Sequence, residues 1–294
     1  MNKVGFIGVG IMGKSMVRNL MKAGFELHIY ARTKSKVEDV ISEGAQFYES
    51  IKDCVQDCDA VITIVGFPQD VEEVYFDEGN ILDSAKEGAY LIDMTTTSPQ
   101  IAEKIYEEGT KRGFHVMDAP VTGGDTGAKA GTLSILVGGE KEDYEACMPL
   151  FEAMGTNINY QGKAGCGQHC KLANQIMIAG TLSGVCEALT YAKEQGLDPE
   201  VFMKSVATGA AGSKQLDTFG PKILKDDYAP GFFMKHFIKD MKLALIEANR
   251  KGLSLDVLSM VLANYEELEQ EGYGDLGTQA LMKFYDEEHR NMEE

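Results

Sequence analysis

The chain has 294 residues, of which 44% are hydrophobic, and it carries a formal net charge of −18 at pH 7. This length accommodates two domains of ordinary size, and this composition supports buried cores. Because nucleic acids and anionic membrane surfaces are bound through basic patches, the acidic charge argues against both as partners. Local positive groups must therefore hold any anionic ligand.

The N-terminus and the cysteines indicate the cellular compartment. Met1-Asn2-Lys3 leads directly into a predicted strand, which leaves no room for a signal sequence, and we find no apolar run that approaches the roughly 18 residues of a membrane span. Six cysteines without a secretory context do not suggest a disulfide framework. We expect a cytoplasmic protein with free thiols.

A glycine-rich turn, Gly8-x-Gly10-x-x-Gly13, follows the first predicted strand and opens a predicted helix from Met12 to Lys22. In such a turn one glycine permits the bend, one lets the backbone approach a pyrophosphate, and one lets helix and strand pack closely. The helix N-terminus then presents free N–H groups to phosphate oxygens. This context predicts a dinucleotide site rather than a merely structural turn. Its predicted residues are Gly8, Gly10, Ile11, Met12 and Gly13.

The second predicted strand, Glu26 to Tyr30, ends in a basic segment, residues 31–36, that contains no acidic residue. Folds that bind NAD usually place Asp or Glu here for the ribose hydroxyl, whereas Arg accommodates the 2′-phosphate of NADP. Arg32 can bind phosphate through its guanidinium fork, and Thr33 and Lys36 add a hydroxyl and a charge. The segment predicts that NADP(H) is preferred over NAD(H). The alternative is a solvated basic loop before the next helix.

Short apolar runs continue the predicted sheet at residues 59–65, 89–93, 114–118, 133–139 and 156–160. Val65 ends one of these strands and Thr96 follows another, at the strand ends where open α/β sheets bind ligands. We predict that both contact the cofactor, although helix capping is an equally simple role for the threonine. The glycine-rich segment 119–128 is predicted to be a loop. In it, Thr122, Gly123 and Gly124 offer donors that could hold a carboxylate.

Strands disappear near Gly162, and helical periodicity continues to the C-terminus. The predicted fold is α/β, with an N-terminal Rossmann-type domain over residues 1–162 and an all-α domain over residues 163–294. A long interdomain helix over about residues 168–194 would span roughly 40 Å. On it, Lys171 and Asn174 share one face; an exposed surface lysine is the alternative reading. The acidic stretch 286–294 is expected to be a solvated terminus.

The cysteines raise the question of a metal site. Cys166, His169 and Cys170 lie on about one helical turn, but a structural zinc site needs four ligands and no second cluster is present. We therefore expect no bound metal. Cys54 and Cys58 have no partner histidine in the sequence pattern and are expected to pack on a helix.

Four motifs in order together resemble those of the β-hydroxyacid dehydrogenase family. They are the N-terminal glycine turn, the Asp-Ala-Pro-Val-Thr-Gly-Gly segment at 118–124, Gly167-x-x-x-Lys171-x-x-Asn174, and the Lys239-Asp240 pair. The family includes 3-hydroxyisobutyrate dehydrogenases, tartronate semialdehyde reductases and glyoxylate/succinic semialdehyde reductases, and it is similar to 6-phosphogluconate dehydrogenase. The stretch 171–175 looks most like the tartronate semialdehyde reductase branch.

The resemblance implies a role for each matching residue. Lys171 would be the catalytic lysine and Asn174 the amide that orients the substrate. Thr122, Gly123 and Gly124 would bind the substrate carboxylate, with Thr122 standing where the family often has serine. Thr96 would approach the nicotinamide ribose, and Lys239 would lie against the nicotinamide end of the cofactor. Gly66-Phe67-Pro68 replaces the Leu-Pro pair of many members.

The implied function is an NADP(H)-dependent oxidoreductase that interconverts a small hydroxy acid and its semialdehyde or oxo acid. Lys171 would act as general acid and base, which requires a pKa below the usual value of about 10.4. Cleft desolvation and the second cation at Lys239 are expected to lower that pKa. The alternatives are a non-catalytic NADP-binding sensor or scaffold and an imine reductase on the same fold. The implied partner is a further copy of the chain, in a homo-oligomer that is a dimer or a tetramer.

Overall fold

The structure, a computed structural model, describes residues 1–286. The predicted solvated tail therefore lies, apart from its first residue, outside the described residues. The chain forms two compact units, Met1–Lys171 and a second that begins at Leu172. The division falls inside a long helix, whereas the sequence placed the boundary near Gly162.

The first unit is built on one sheet. Its strands are β1 (Lys3–Ile7), β2 (Glu26–Tyr30), β3 (Gln46–Tyr48), β4 (Ala60–Thr63), β5 (Tyr90–Asp93), β6 (His115–Asp118), β7 (Val121–Thr122), β8 (Leu133–Gly139) and β9 (Gly155–Gly162). The strand order is β3-β2-β1-β4-β5-β6-β8-β7, with β9 paired to β8. Strands β1 to β6 are parallel in the order 3-2-1-4-5-6. That is the Rossmann order, and it places the topological switch beside β1.

Helices connect and cover these strands. In the first unit they are α1 (Ile11–Lys22), α2 (Glu38–Ser42), α3 (Ile51–Val55), α4 (Pro68–Phe76), α5 (Ile81–Ser84), α6 (Pro99–Lys111), α7 (Gly124–Ala130), α8 (Lys141–Ala146) and α9 (Met148–Met154). The remaining helices are α10 (Cys166–Glu194), α11 (Pro199–Val206), α12 (Lys214–Ile223), α13 (Met234–Arg250) and α14 (Asp256–Gln270). Short 3₁₀ segments lie at Lys34–Lys36, Tyr273–Asp275 and Thr278–Tyr285.

The parallel strands are buried on both faces, which explains their nearly continuous apolar sequences. Consecutive residues of β4 belong to two different core clusters, because Val61 packs into one and Ile62 into the other. Leu91 and Ile92 of β5 alternate in the same way. Helices therefore cover both faces of the sheet, and ligands can bind at the ends of the strands.

The second unit has its own helical core. Its largest fully buried side chains include Phe237 of α13 and Tyr265 of α14, whose rings meet edge to face at 5.4 Å between centroids. The Tyr265 hydroxyl donates to the backbone oxygen of Thr278 at 2.7 Å. From α10 this core receives Leu182, Cys186 and other residues. Within the described part of this unit the helices are joined by loops, and the β structure is an isolated bridge between Phe233 and Gly277.

Helix α10 corrects the prediction that no segment approaches a membrane span. Among the described residues it is the one helix long and apolar enough, by length and composition, to cross a bilayer. This is weak evidence, since a core helix passes the same test, and 44% of its most apolar window is buried in this fold.

Candidate functional site

The three glycines of the turn between β1 and α1 differ in whether protein packing requires them. Gly8 has φ +99°, and a Cβ there would lie 2.1 Å from the backbone oxygen of Ile64. A Cβ on Gly13 would lie 2.2 Å from the oxygen of Gly8. Both glycines are thus required by the fold itself. A Cβ on Gly10 would meet no atom within 4 Å among the described residues, so packing does not explain that glycine.

The start of α1 is suited to an anion. Gly10 is its N-cap and supplies no side-chain cap, and the first turn contains no acidic residue. The first N–H groups of a helix have no intrahelical partner and carry the positive end of the dipole. Ile11, at 51% exposure, leaves the turn open to solvent. An open Gly10 above an uncapped helix N-terminus fits a dinucleotide pyrophosphate.

Residues 32–36 of the basic segment after β2 are exposed, and an acidic residue lies beside them. Arg32 Nη2 lies 3.2 Å from Oδ1 of Asp70 in α4, and the arginine side chain is largely exposed. The other oxygen, Asp70 Oδ2, accepts a hydrogen bond from the N–H of Phe67 at 3.0 Å. Although residues 31–36 contain no acidic residue, Arg32 therefore has an acidic neighbour in α4. Thr33 and Lys36 are exposed.

Hydrogen bonds join Val65 and the end of β4 to β5 and the segment that follows it. The N–H of Val65 donates to Thr95 Oγ1 at 2.9 Å. The N–H of Thr95 donates to Asp93 Oδ1 at 3.1 Å, and Thr63 Oγ1 donates to the same oxygen at 2.7 Å. Thr96, the predicted ribose contact, is the next residue and is partly buried. The two predicted cofactor loops are therefore held together at adjacent strand ends.

Asp93 should make stability depend on pH, because burial raises the pKa of its carboxyl to about 6. In the unfolded chain that pKa is about 3.9, so from about pH 4 to pH 6 the folded state alone retains the proton. Stability from this group is present at low pH and is lost as pH rises through 6, by an amount on the order of 3 kcal/mol. We expect Asp93→Asn, which keeps the Oδ1 acceptor, to remove this loss and to be more stable than wild type at pH 8.

Urea unfolding at pH 5 and pH 8 measures the effect. Asp59→Asn is the control with the opposite sign, because the ammonium of Lys86 at 2.8 Å holds the pKa of Asp59 below its usual range. Removal of the Asp59 carboxylate should lower the free energy of unfolding at pH 8. Parallel pH curves for wild type and Asp93→Asn would contradict the assignment.

The segment predicted as a glycine-rich loop, residues 119–128, is instead a short strand and a helix. Thr122 ends β7, where it pairs with Ser134, and Gly123 is the N-cap of α7. Gly123 and Gly124 have φ +128° and +63°, so the turn between strand and helix depends on them. The sequence missed this helix because its residues, Gly-Asp-Thr-Gly-Ala-Lys-Ala, include two glycines with poor helix propensity.

Helix α10 begins on the C-terminal edge of the sheet. Asp118, at the end of β6, accepts the N–H groups of Gly165 and Gln168 at 2.7 and 2.8 Å. A carboxylate at a helix N-terminus also interacts favourably with the dipole, although burial raises the pKa of Asp118. Lys171, one turn further, is buried, with 6% of its surface exposed. The alternative of an exposed surface lysine is therefore wrong.

The second unit brings two predicted residues into one polar cluster. The Asn174 amide nitrogen donates to Gln175 Oε1 at 2.8 Å, and Gln175 Nε2 donates to Asp240 Oδ2 at 2.7 Å. Lys239 Nζ lies 3.1 Å from Asp240 Oδ1, and Asp240 is fully buried. Asp240 thus links Asn174 and Lys239. From the sequence, Asp240 was identified only as part of the Lys239-Asp240 motif, and no role was predicted for it.

All six cysteines are free thiols, as expected. One detail was wrong, because Cys58 has a histidine partner: its Sγ lies 3.5 Å from Nδ1 of the buried His28 and donates to the oxygen of Cys54 at 3.1 Å. Burial raises the pKa of Cys58 to about 12. In residues 1–286 no group of three or more His, Cys, Asp or Glu side chains is placed to hold a metal ion. The metal-free state of Cys166, His169 and Cys170 stays a prediction.

Comparison with known proteins identifies the two halves of the chain. Residues 3–162 match the NAD binding domain of 6-phosphogluconate dehydrogenase, and residues 165–285 match the family described as NAD-binding of NADP-dependent 3-hydroxyisobutyrate dehydrogenase. The chain belongs to the β-hydroxyacid dehydrogenase family. It is an oxidoreductase whose cofactor is a nicotinamide dinucleotide.

Individual relatives cover nearly the whole chain. The uncharacterized oxidoreductase YkwC of Bacillus subtilis is 50% identical over 96% of this chain and 98% of its own. The probable 3-hydroxyisobutyrate dehydrogenase-like 1, mitochondrial, of Arabidopsis thaliana is 44% identical over 95% of this chain and 84% of its own. Among solved structures, Mycobacterium tuberculosis 3-hydroxyisobutyrate dehydrogenase with L-serine has a TM-score of 0.88, 26% identity, and coverage of 96% of this chain and 98% of its own.

Membership of the β-hydroxyacid dehydrogenase family confirms the predicted fold and the predicted resemblance. The roles of the individual site residues stay predictions. The structure adds two residues that the sequence did not single out, Gln168 and Asp93. Both are buried and polar at the C-terminal edge of the sheet. Gln168 carries no motif signal, and Asp93 could have been found only as an acid that ends an otherwise apolar strand.

Proposed function

We propose that this β-hydroxyacid dehydrogenase interconverts a small hydroxy acid and the corresponding semialdehyde or oxo acid, with NADP(H) preferred over NAD(H). Tartronate semialdehyde, 3-hydroxyisobutyrate and glyoxylate or succinic semialdehyde define the substrate class. The observation that carries the proposal is the buried Lys171. It lies on a helix that starts at the same sheet edge as the open glycine turn.

Each residue has a defined task in the proposed reduction. The bound nicotinamide supplies the hydride. Thr122 and the N–H groups of Gly123 and Gly124 hold the substrate carboxylate and so fix which carbon faces the nicotinamide. Lys171 gives a proton to the oxygen of the aldehyde as negative charge develops there, and in the oxidation it takes the proton from the hydroxyl. Asn174 orients the substrate.

A substrate screen tests the proposal. Purified protein is assayed with NADPH against aldehyde acids, against the same aldehydes without the carboxylate, and against cyclic imines. We expect turnover only with the aldehyde acids, because the carboxylate anchors the substrate. Turnover of cyclic imines would support the imine reductase alternative. NADPH binding without turnover of any compound would support the sensor or scaffold alternative.

Cofactor preference provides a separate test, centred on Arg32. A charged hydrogen bond contributes about 1.5–3 kcal/mol, so Arg32→Asp should lower kcat/KM with NADPH by about tenfold to a hundredfold and leave NADH use largely unchanged. Lys34→Asp is the matched control, since it changes the local charge equally but removes no guanidinium. Wild-type efficiency with NADH equal to or above that with NADPH would contradict the preference.

We also propose that the protein works in the cytoplasm as a homo-oligomer, with no nucleic-acid or membrane partner. Support comes from large apolar side chains left exposed on the second unit, including Met177 at 74% and Tyr191 at 67% on α10. Further exposed apolar residues on this unit are Val201, Ile246, Val257 and Met260. Burial of such a surface between copies stabilises association. Light scattering measures the assembly directly.

A further inference from the structure

A buried glutamine, Gln168, joins the start of α10 to the segment after β5. Its Nε2 donates to the backbone oxygen of Thr95 at 2.7 Å, and its Oε1 accepts the N–H of Thr97 at 3.0 Å. Gln168 is fully buried. Its side chain therefore binds the backbone on both sides of Thr96, the predicted contact of the nicotinamide ribose.

The same turn of α10 is fixed from a second direction. Asp118 binds the N–H groups of Gly165 and Gln168, as described above. Gly167 packs so closely that a Cβ on it would lie 2.3 Å from the oxygen of Leu136 and 2.8 Å from Asp118 Oδ2. A helix start with this little free space has one position on the sheet edge.

The connection continues to a further predicted cofactor residue. Thr95 Oγ1 accepts a hydrogen bond from the N–H of Val65, and the backbone oxygen of Thr95 accepts one from Nε2 of Gln168. Val65, Thr95 and Gln168 are therefore joined by consecutive hydrogen bonds, of which the one between Thr95 and Gln168 is buried and the one between Val65 and Thr95 is partly buried. Lys171 lies three residues after Gln168, on the same face of the helix.

We propose that Gln168 is a positioning residue, which sets the location of Lys171 relative to the nicotinamide end of the cofactor. Gln168 would itself contact neither substrate nor cofactor. Its side chain fixes the helical turn that contains Lys171, the proton donor, against the backbone around Thr96. Because a misplacement of about 1 Å in a catalytic group lowers rates by about a hundredfold, this linkage matters for the chemical step. The inference rests on the proposed function, since it assigns Lys171 the role of proton donor.

Kinetics of Gln168→Met and Gln168→Asn test the role. Methionine fills similar volume without either hydrogen bond, and asparagine is one methylene too short to reach both Thr95 and Thr97. We expect kcat to fall about tenfold to a hundredfold in the methionine variant and by a smaller factor in the asparagine variant. KM for the aldehyde acid and Kd for NADPH should change by less than about threefold, because the binding groups themselves remain.

Gln279→Met is the matched control. Gln279 is also a buried glutamine, whose Nε2 donates to two backbone oxygens, those of Asp227 and Ala229. Its replacement should lower Tm to a similar extent and leave kcat within about twofold of wild type. If Gln279→Met lowered kcat as much as Gln168→Met does, or if Gln168→Met left kcat unchanged, the positioning role would be overturned.

Hydrogen exchange separates this inference from the proposed function. In wild type and in both Gln168 variants, exchange is followed at the amides of residues 95–97 and 165–171. We expect the variants to exchange faster in both segments together, with the largest change at the amide of Thr97. That result supports the linkage even if no aldehyde acid is turned over, in which case the proposed function alone would fail. Unchanged exchange at residues 95–97 would overturn the linkage whatever the activity.

Discussion

Replacing Lys171 by alanine is expected to lower kcat by about a hundredfold or more, since a positioned acid–base group contributes roughly 10²–10⁴ to the rate. Kd for NADPH should stay close to wild type, because the residues predicted to hold the cofactor phosphates lie in the glycine turn and the basic segment. Steady-state kinetics with an aldehyde acid and a fluorescence titration with NADPH measure the two quantities. A loss confined to kcat is the signature of a group that acts in the transition state.

Two further variants make this test specific. Lys171→Arg keeps the charge but cannot release a proton near neutral pH, so it should be nearly as slow as the alanine variant. Lys163→Ala removes an exposed lysine that precedes the same helix and should retain wild-type kcat. If Lys171→Ala kept near-normal kcat, proton transfer would have to be assigned to another group.

The sequence predicted those parts of the fold that depend on local pattern. Strands β2 and β8 have the predicted bounds, Glu26–Tyr30 and Leu133–Gly139. Strand β2 alternates polar and apolar residues before a polar segment, and β8 contains an apolar run that ends in two glycines. The apolar run 59–65 gave a shorter strand, Ala60–Thr63, since residues 64 and 65 already belong to the loop that bonds to Thr95. Strand ends are set by such tertiary hydrogen bonds, which a local pattern does not contain.

The residues of the candidate site also differ in whether a local sequence pattern identifies them. Glycines, a basic segment and a lysine–asparagine pair carry signals that can be read along the chain. Gln168 and Asp70 do not, because each acts through a partner that is distant in sequence: Gln168 through Thr95 and Thr97, and Asp70 through Arg32. Polar residues in a helix are ordinary, and only burial and geometry show that Gln168 is fixed on both sides.

The glycine turn yields the second large effect. Gly10→Ala is expected to leave the fold nearly as stable as wild type, since φ at this residue is −86° and its Cβ would enter open space. Kd for NADPH should nevertheless rise by about tenfold or more, because the added methyl group occupies the space through which a pyrophosphate approaches the helix N–H groups.

Gly8→Ala in the same turn should behave in the opposite way. Its φ is +99° and its Cβ would lie 2.1 Å from the oxygen of Ile64, so strain and collision together should lower the unfolding free energy by several kcal/mol, of which the backbone conformation alone accounts for about 1–3 kcal/mol. Thermal unfolding and NADPH titration of both variants separate the two roles. Gly10→Ala binding NADPH as tightly as wild type would place the pyrophosphate elsewhere. Equal destabilisation by both substitutions would show that Gly10, like Gly8, is needed by the fold.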